Sequence, residues 1–351
     1  MARKQPNVGL LGLGIIGSRA AANLRAAGFP VFVWNRSPKA APNFLGSPAE
    51  VARNCKIIQL FVADALAVFD VIEAMADALT PEHLIIGSAT IGPVATHQAA
   101  KLVEKSGATF LDAPFTGSKM AAENRQLVYY IGGDEHAFLR AKPVLEATSK
   151  AIVQVGKIGD AAVLKVATNL ISAVSAQVLS EALAIVRKSG LDAESLAAAL
   201  EHNACRSGVI DIKLPKMAHC DYSPHFSLKH MYKDVQFGLN MARDLGIDVP
   251  ICSTTSRVYS GALDQGWGDL DFASVFKLYE PLLPPLDPPP TSPENTPDSE
   301  PLEIVSAIPE SAQLAKDNQD NPALPADPLP ESDTPPGFSQ KLKRLFRSKS
   351  K

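Results

Sequence analysis

A largely apolar stretch, VLKVATNLISAV at residues 163–174, carries a lysine and an asparagine, Lys165 and Asn169. Four residues apart, they share one face of a helix. An ammonium among apolar neighbours is costly unless something compensates it. Either Lys165 snorkels to solvent while Asn169 bonds the backbone, or the pair is kept for chemistry. A positioned ammonium can stabilise negative charge growing on an oxygen and hand it a proton. A second constellation lies near the N-terminus, where VGLLGLGIIGSRAAANLRAAG sets Gly12, Gly14 and Gly17 in a G-x-G-x-x-G pattern after an apolar run and ahead of a helical one. The first glycine permits a tight turn, the second lets a pyrophosphate approach the backbone, and the third lets helix and strand pack closely. The loop Gly12, Leu13, Gly14, Ile15, Ile16 and Gly17 is therefore expected to hold a dinucleotide phosphate on a helix N-terminus.

The next apolar run, VFVWN, ends in Asn35, Arg36 and Ser37. A carboxylate at this point would grip the ribose 2′-hydroxyl of NAD. A guanidinium beside a hydroxyl suits a 2′-phosphate instead, so NADP (as NADPH) is expected ahead of NAD.

These residues need elements to carry them. From Val8 to about Leu164, short β-type runs alternate with helical stretches: VGLLGLG, VFVWN, IIQLFVA, HLIIGSAT, TFLDAPF and LVYYIGG are the expected strands. Such alternation builds βαβ units, hence an α/β fold with a doubly wound, mostly parallel sheet. After about Ala161 the apolar period becomes helical throughout, and a long helix beginning near Asp160 carries Lys165. The expected division is a nucleotide-binding Rossmann domain at 1–162, an all-helical substrate and dimerisation domain at 163–280, and a tail at 281–351. That tail holds more than half of the 28 prolines and is expected to be disordered. Its end, GFSQKLKRLFRSKSK, groups Leu342, Leu345 and Phe346 among basic residues, a pattern suited to a membrane surface or a partner protein.

A chain of 351 residues, 46% hydrophobic and 20% charged, supports two folded cores. A net charge of -3 gives no general basic field, so nucleic acid is not an expected partner. The four cysteines, Cys55, Cys205, Cys220 and Cys252, lack metal or redox spacing and are expected to be free, buried thiols; no metal site is expected. The longest apolar region, roughly 161–186, is broken by Lys165, Asn169, Gln177 and Glu181, which points to a buried helix rather than a membrane span. A cytoplasmic location is expected.

Several stretches together resemble the β-hydroxyacid dehydrogenase family: GLGIIG with NRS, DAPFTGSK at 112–119, GKIGDAAVLKVATN at 156–169, and FSLKHMYKDV with GWGDLDFASV further on. GSK, FSLKHMYKD and GDLDFASV look most like the glyoxylate and succinic semialdehyde reductase branch. The resemblance implies that Lys165 is the acid or base of the reaction, with Asn169 beside it. It implies a substrate carboxylate near Thr116, Gly117 and Ser118, a pocket walled by Phe226 with Asp234 nearby, and cofactor contacts from Val62, Ala63, Thr90 and Lys233. Read without it, Lys233 and Asp234 are an exposed helix ion pair. The implied activity is NADPH-dependent reduction of a small carboxylated aldehyde to its hydroxy acid. The alternatives are oxidation of a 3-hydroxy acid, and a cofactor-binding scaffold acting through its tail. Homodimers or homotetramers are implied as well. The chain departs from the family pattern at Ala161, Gly87, Ala89, Arg125 and Thr116.

Overall fold

Strand β1 (Val8–Leu11) is buried along its whole length, as are β3 (Ile57–Leu60) and β4 (Leu84–Gly87). Runs without alternation are what a sheet covered on both faces requires. The computed structural model describes residues 5–283, and nearly all of the tail, its basic end included, lies outside the described residues. With β2 (Val31–Trp34) and β5 (Thr109–Asp112), the three strands form a parallel set in the order β2-β1-β3-β4-β5. Beyond it, β7 (Leu127–Gly132) runs antiparallel to β5, pairs β6 (Phe115–Thr116) antiparallel, and pairs β8 (Ser149–Gly156) in parallel. β8 is absent from the expected strands; its Ala-Ile-Val-Gln-Val run is largely exposed and shows no clean alternation.

Helices α1 (Ile15–Ala26), α2 (Pro48–Asn54), α3 (Ala65–Met75), α4 (Gly92–Glu104), α5 (Lys119–Glu123) and α6 (Glu135–Glu146) complete the α/β part. Two apolar cores result. One joins Leu10, Leu24, Val33, Tyr129 and Val144, and the other Leu11, Ile58, Ile72, Ile85 and Val103. Leu10 and Leu11 are consecutive, so β1 feeds both cores, as alternate side chains of a central strand must.

The second part is helical: α7 (Asp160–Lys188), α8 (Ala193–Glu201), α9 (Gly208–Ala218), α10 (Leu228–Asp244) and α11 (Pro250–Asp264), followed by 3₁₀ turns at Phe272–Leu278 and Glu280–Leu282. The 162/163 division falls inside α7, and the described residues belong to one compact unit, Met1–Asp287. By length and composition α7 could cross a membrane, but Ala173, Ala176, Leu179 and Leu183 pack in the core of the helical part. Contrary to the expectation from sequence, the four thiols are not all buried. Only Cys55 is buried; Cys252 is half-buried, and Cys205 and Cys220 are exposed where α8 and α9 give way to turns.

Candidate functional site

The glycine loop does three separate jobs. Gly12 has φ +101°, and a Cβ there would lie 2.3 Å from the Phe61 carbonyl oxygen. At Gly17 a Cβ would come within 1.9 Å of the Gly12 oxygen, so α1 could not sit so close to β1 with any other residue. Gly14 instead faces open space and is exposed. It opens α1 with no side-chain cap, which leaves the first amides free for an anion. A dinucleotide phosphate fits this cradle.

At the end of β2, both ends of the Asn35 amide are engaged by backbone: Oδ1 accepts from Leu13 N at 2.8 Å and Nδ2 donates to Ser37 O at 2.7 Å. Asn35 thus props the glycine loop, leaving the exposed Arg36 and Ser37 to face an incoming group. Lys39, which sequence reasoning missed, donates to Leu13 O at 2.7 Å. Its place three residues after Arg36 in the same loop was the available signal.

Lys165 is buried, 8% exposed, and donates to Asn169 Oδ1 at 2.9 Å; Asn169 Nδ2 in turn donates to Asp234 Oδ2 at 2.6 Å. Snorkelling is therefore excluded. The remaining Asp234 oxygen accepts no hydrogen bond and lies 3.3 Å from Lys233 Nζ, so this is a buried carboxylate rather than half of an exposed pair. From α10, Lys233 reaches the α/β part and donates to Ala63 O at 3.2 Å and Thr90 O at 2.7 Å. Burial lowers the Lys165 pKa to about 8; Asp234 opposes the shift and Lys233 adds to it. A lysine so placed can hold or release a proton near neutral pH.

Between the two parts lies a cleft of about 430 Å³. Gly14, Ile15, Ile16 and Gly17 line it from the nucleotide loop, Val62, Ala63, Ala89 and Thr90 from the ends of β3 and β4, and Phe226, Lys233 and Asp234 from the helical part. Lys165, Asn169 and Thr116–Ser118 are not among its lining residues; of the β6 segment, Phe115 is, packed 5.6 Å from Phe61. Thr116 pairs with Val128, Gly117 has φ +137°, and the Ser118 hydroxyl caps α5 by accepting from Ala121 N at 3.4 Å.

One departure from the family pattern has a local cause, and another, Arg125, has none in the structure. A Cβ on Gly87 would lie 2.3 Å from the Phe110 ring, which fills that space. Arg125 holds a left-handed φ of 57° on the surface, a conformation for which glycine is better suited. Sequence reasoning also passed over Asp112, the first residue of DAPFTGSK. Its Oδ2 accepts from Gly159 N and Ala162 N, both at 3.1 Å, and so caps the helix that bears Lys165. Burial raises its pKa to about 7; those two amides oppose the shift and Asp160 adds to it.

Residues 7–156 match the family model described as the NAD binding domain of 6-phosphogluconate dehydrogenase, and residues 159–279 match the NAD-binding domain of NADP-dependent 3-hydroxyisobutyrate dehydrogenase. The chain is 30% identical over 281 residues to the chloroplastic glyoxylate/succinic semialdehyde reductase 2 of Arabidopsis thaliana, covering 77% of this chain and 78% of that protein. It is likewise 30% identical over 294 residues to the mitochondrial 3-hydroxyisobutyrate dehydrogenase of Mus musculus, covering 79% and 88%. The solved 3-hydroxyisobutyrate dehydrogenase of Mycobacterium tuberculosis, studied with L-serine, superposes with a TM-score of 0.71 at 27% identity over 78% of this chain and 99% of that one. With its glycine cradle, two-part fold and these relatives, the chain belongs to the β-hydroxyacid dehydrogenase family of NAD(P)-dependent oxidoreductases.

Proposed function

We propose that the protein uses NADPH to reduce a small carboxylated aldehyde of the glyoxylate or succinic semialdehyde kind to its hydroxy acid, with Lys165 as the proton donor. The observation that carries this reading is the buried chain Lys165–Asn169–Asp234, which holds an ammonium of lowered pKa at a fixed place. When bound, the reduced nicotinamide supplies the hydride. The chain's own residues do the rest. Lys165 stabilises the charge that grows on the aldehyde oxygen and protonates it, leaving a neutral amine that solvent reprotonates. Asn169 keeps the ammonium aimed by accepting one of its hydrogens. The segment Thr116, Gly117 and Ser118 receives the substrate carboxylate, with Phe226 and Asp234 beside it. Arg36 and Ser37, with Lys39 close by, favour a 2′-phosphate and hence NADPH.

A second reading runs the reaction backwards on a 3-hydroxy acid; the likeness to 3-hydroxyisobutyrate dehydrogenases supports it. A further part of the proposal is a homo-oligomer built on α7. Leu164, Ile171, Val178 and Ile185 recur every seven residues and are 40%, 67%, 56% and 68% exposed, an apolar stripe suited to a second helix. The basic chain end could add contact with an anionic surface. The test is steady-state turnover of purified full-length protein with NADPH and NADH, against glyoxylate, succinic semialdehyde and methylmalonate semialdehyde, and with 3-hydroxyisobutyrate in reverse. Aldehyde reduction that prefers NADPH supports the first reading. Turnover confined to 3-hydroxyisobutyrate with NAD overturns it.

A further inference from the structure

Behind the cleft wall, Lys213 of α9 meets Asp271, which opens the 3₁₀ turn at Phe272. Both side chains are buried, and Lys213 Nζ lies 2.7 Å from Asp271 Oδ1. Such a pair is costly to bury, and replacing it by well-packed apolar groups is often neutral or stabilising. Its partners suggest what it is for. Asp271 Oδ1 also accepts from Ala273 N at 3.0 Å, while Oδ2 accepts from His225 N at 2.9 Å and Phe226 N at 3.2 Å. One carboxylate thus binds two consecutive amides of the segment that lines the cleft. The surrounding backbone repeats the tie: Asp271 N donates to Tyr222 O, Phe272 N to Phe226 O, and Leu228 N to Leu270 O, at 2.9, 3.0 and 2.8 Å. The lysine is held in turn, its ammonium 3.9 Å from the centre of the Phe272 ring, and that ring meets Phe226 edge-on at 6.2 Å.

We propose that the Lys213–Asp271 pair is a positioning device for the substrate wall, fixing the backbone at His225 and Phe226 and thereby setting affinity for the aldehyde rather than for the nucleotide. Asp271 fixes the two amides, and Lys213, 2.7 Å from Oδ1, holds the buried carboxylate in place. Neither touches the reacting atoms. The kinetic part of this inference rests on the aldehyde-reductase reading; the structural part does not.

The experiment uses full-length protein carrying Asp271→Asn, Lys213→Met, and both together, with thermal melts to establish that each variant is folded. Expected for Asp271→Asn is a rise of about tenfold in KM for the aldehyde, with kcat within about threefold and NADPH affinity, read by fluorescence titration, within about twofold. Hydrogen exchange at the amides of His225 and Phe226 should quicken while α7 stays protected. Lys213→Met should change KM in the same direction, and the double variant should lose less than the sum of the two. A lower melting temperature with KM and loop exchange unchanged would overturn the inference, as would an equal loss of NADPH affinity. If wild-type protein reduces no aldehyde, the functional reading fails, and loop exchange alone decides the inference.

Discussion

The lysine proposed as proton donor is an ammonium whose pKa burial has lowered, so the proposed role predicts a pH dependence of definite sign. Reduction needs Lys165 protonated, so kcat/KM for the aldehyde should be level below about pH 8 and fall above it; oxidation of the hydroxy acid needs the neutral amine and should rise through the same region. A pH–rate profile in both directions checks this, and a limb of the same sign in both would contradict the assignment. The nucleotide end gives a second residue-level expectation. Arg36→Ala should raise KM for NADPH by about tenfold, the equivalent of ~1.4 kcal/mol, and leave NADH nearly unaffected. A parallel loss with both nucleotides would show that Arg36 grips something other than the 2′-phosphate. The close packing at Gly12 and Gly17 and the pairing of Lys165 with Asn169 were legible in the sequence, because these residue types and short spacings carry the physics locally. Asp112 and Asp271 were not. Asp112 caps a helix 47 and 50 residues further on, and Asp271 takes amides 45 and 46 residues back, so their partners exist only once the chain has folded.

Among the elements, α7 connects the two parts, and the end of β5 fastens its start. Gly159 at the helix N-cap has φ +94° and offers no side chain, so Asp112 supplies the cap from another strand. Because burial raises its folded-state pKa above the ordinary 3.8, the folded state binds that proton more tightly than the unfolded chain does. The group's contribution to stability is complete below about pH 4 and is lost as pH rises through about 7. Asp112→Asn, which stays neutral, should therefore gain in melting temperature relative to wild type between about pH 5 and pH 8. Melts across that range check the sign, and a difference that does not change with pH would contradict it. The parallel strands and the long helix were readable from apolar runs and period. β8 and α9 were not: β8 is mostly exposed, and α9 carries Pro215 within its length.

At the scale of the whole molecule, the nucleotide loop and the helical part meet across one cleft, and Lys233 bonds carbonyls on the far side. The same helix that presents Lys165 inward presents the four-residue apolar stripe outward. Ile171→Glu with Val178→Glu should convert an oligomer into monomer in sedimentation velocity, whereas an unchanged sedimentation coefficient would remove α7 from the interface. The measurement that bears most directly on the account is single-turnover reduction of glyoxylate and succinic semialdehyde by wild type and Lys165→Met, with NADPH binding titrated on the same samples. Expected is a loss of at least about 10²-fold in the chemical step with NADPH affinity kept. Turnover by Lys165→Met close to wild type would contradict it.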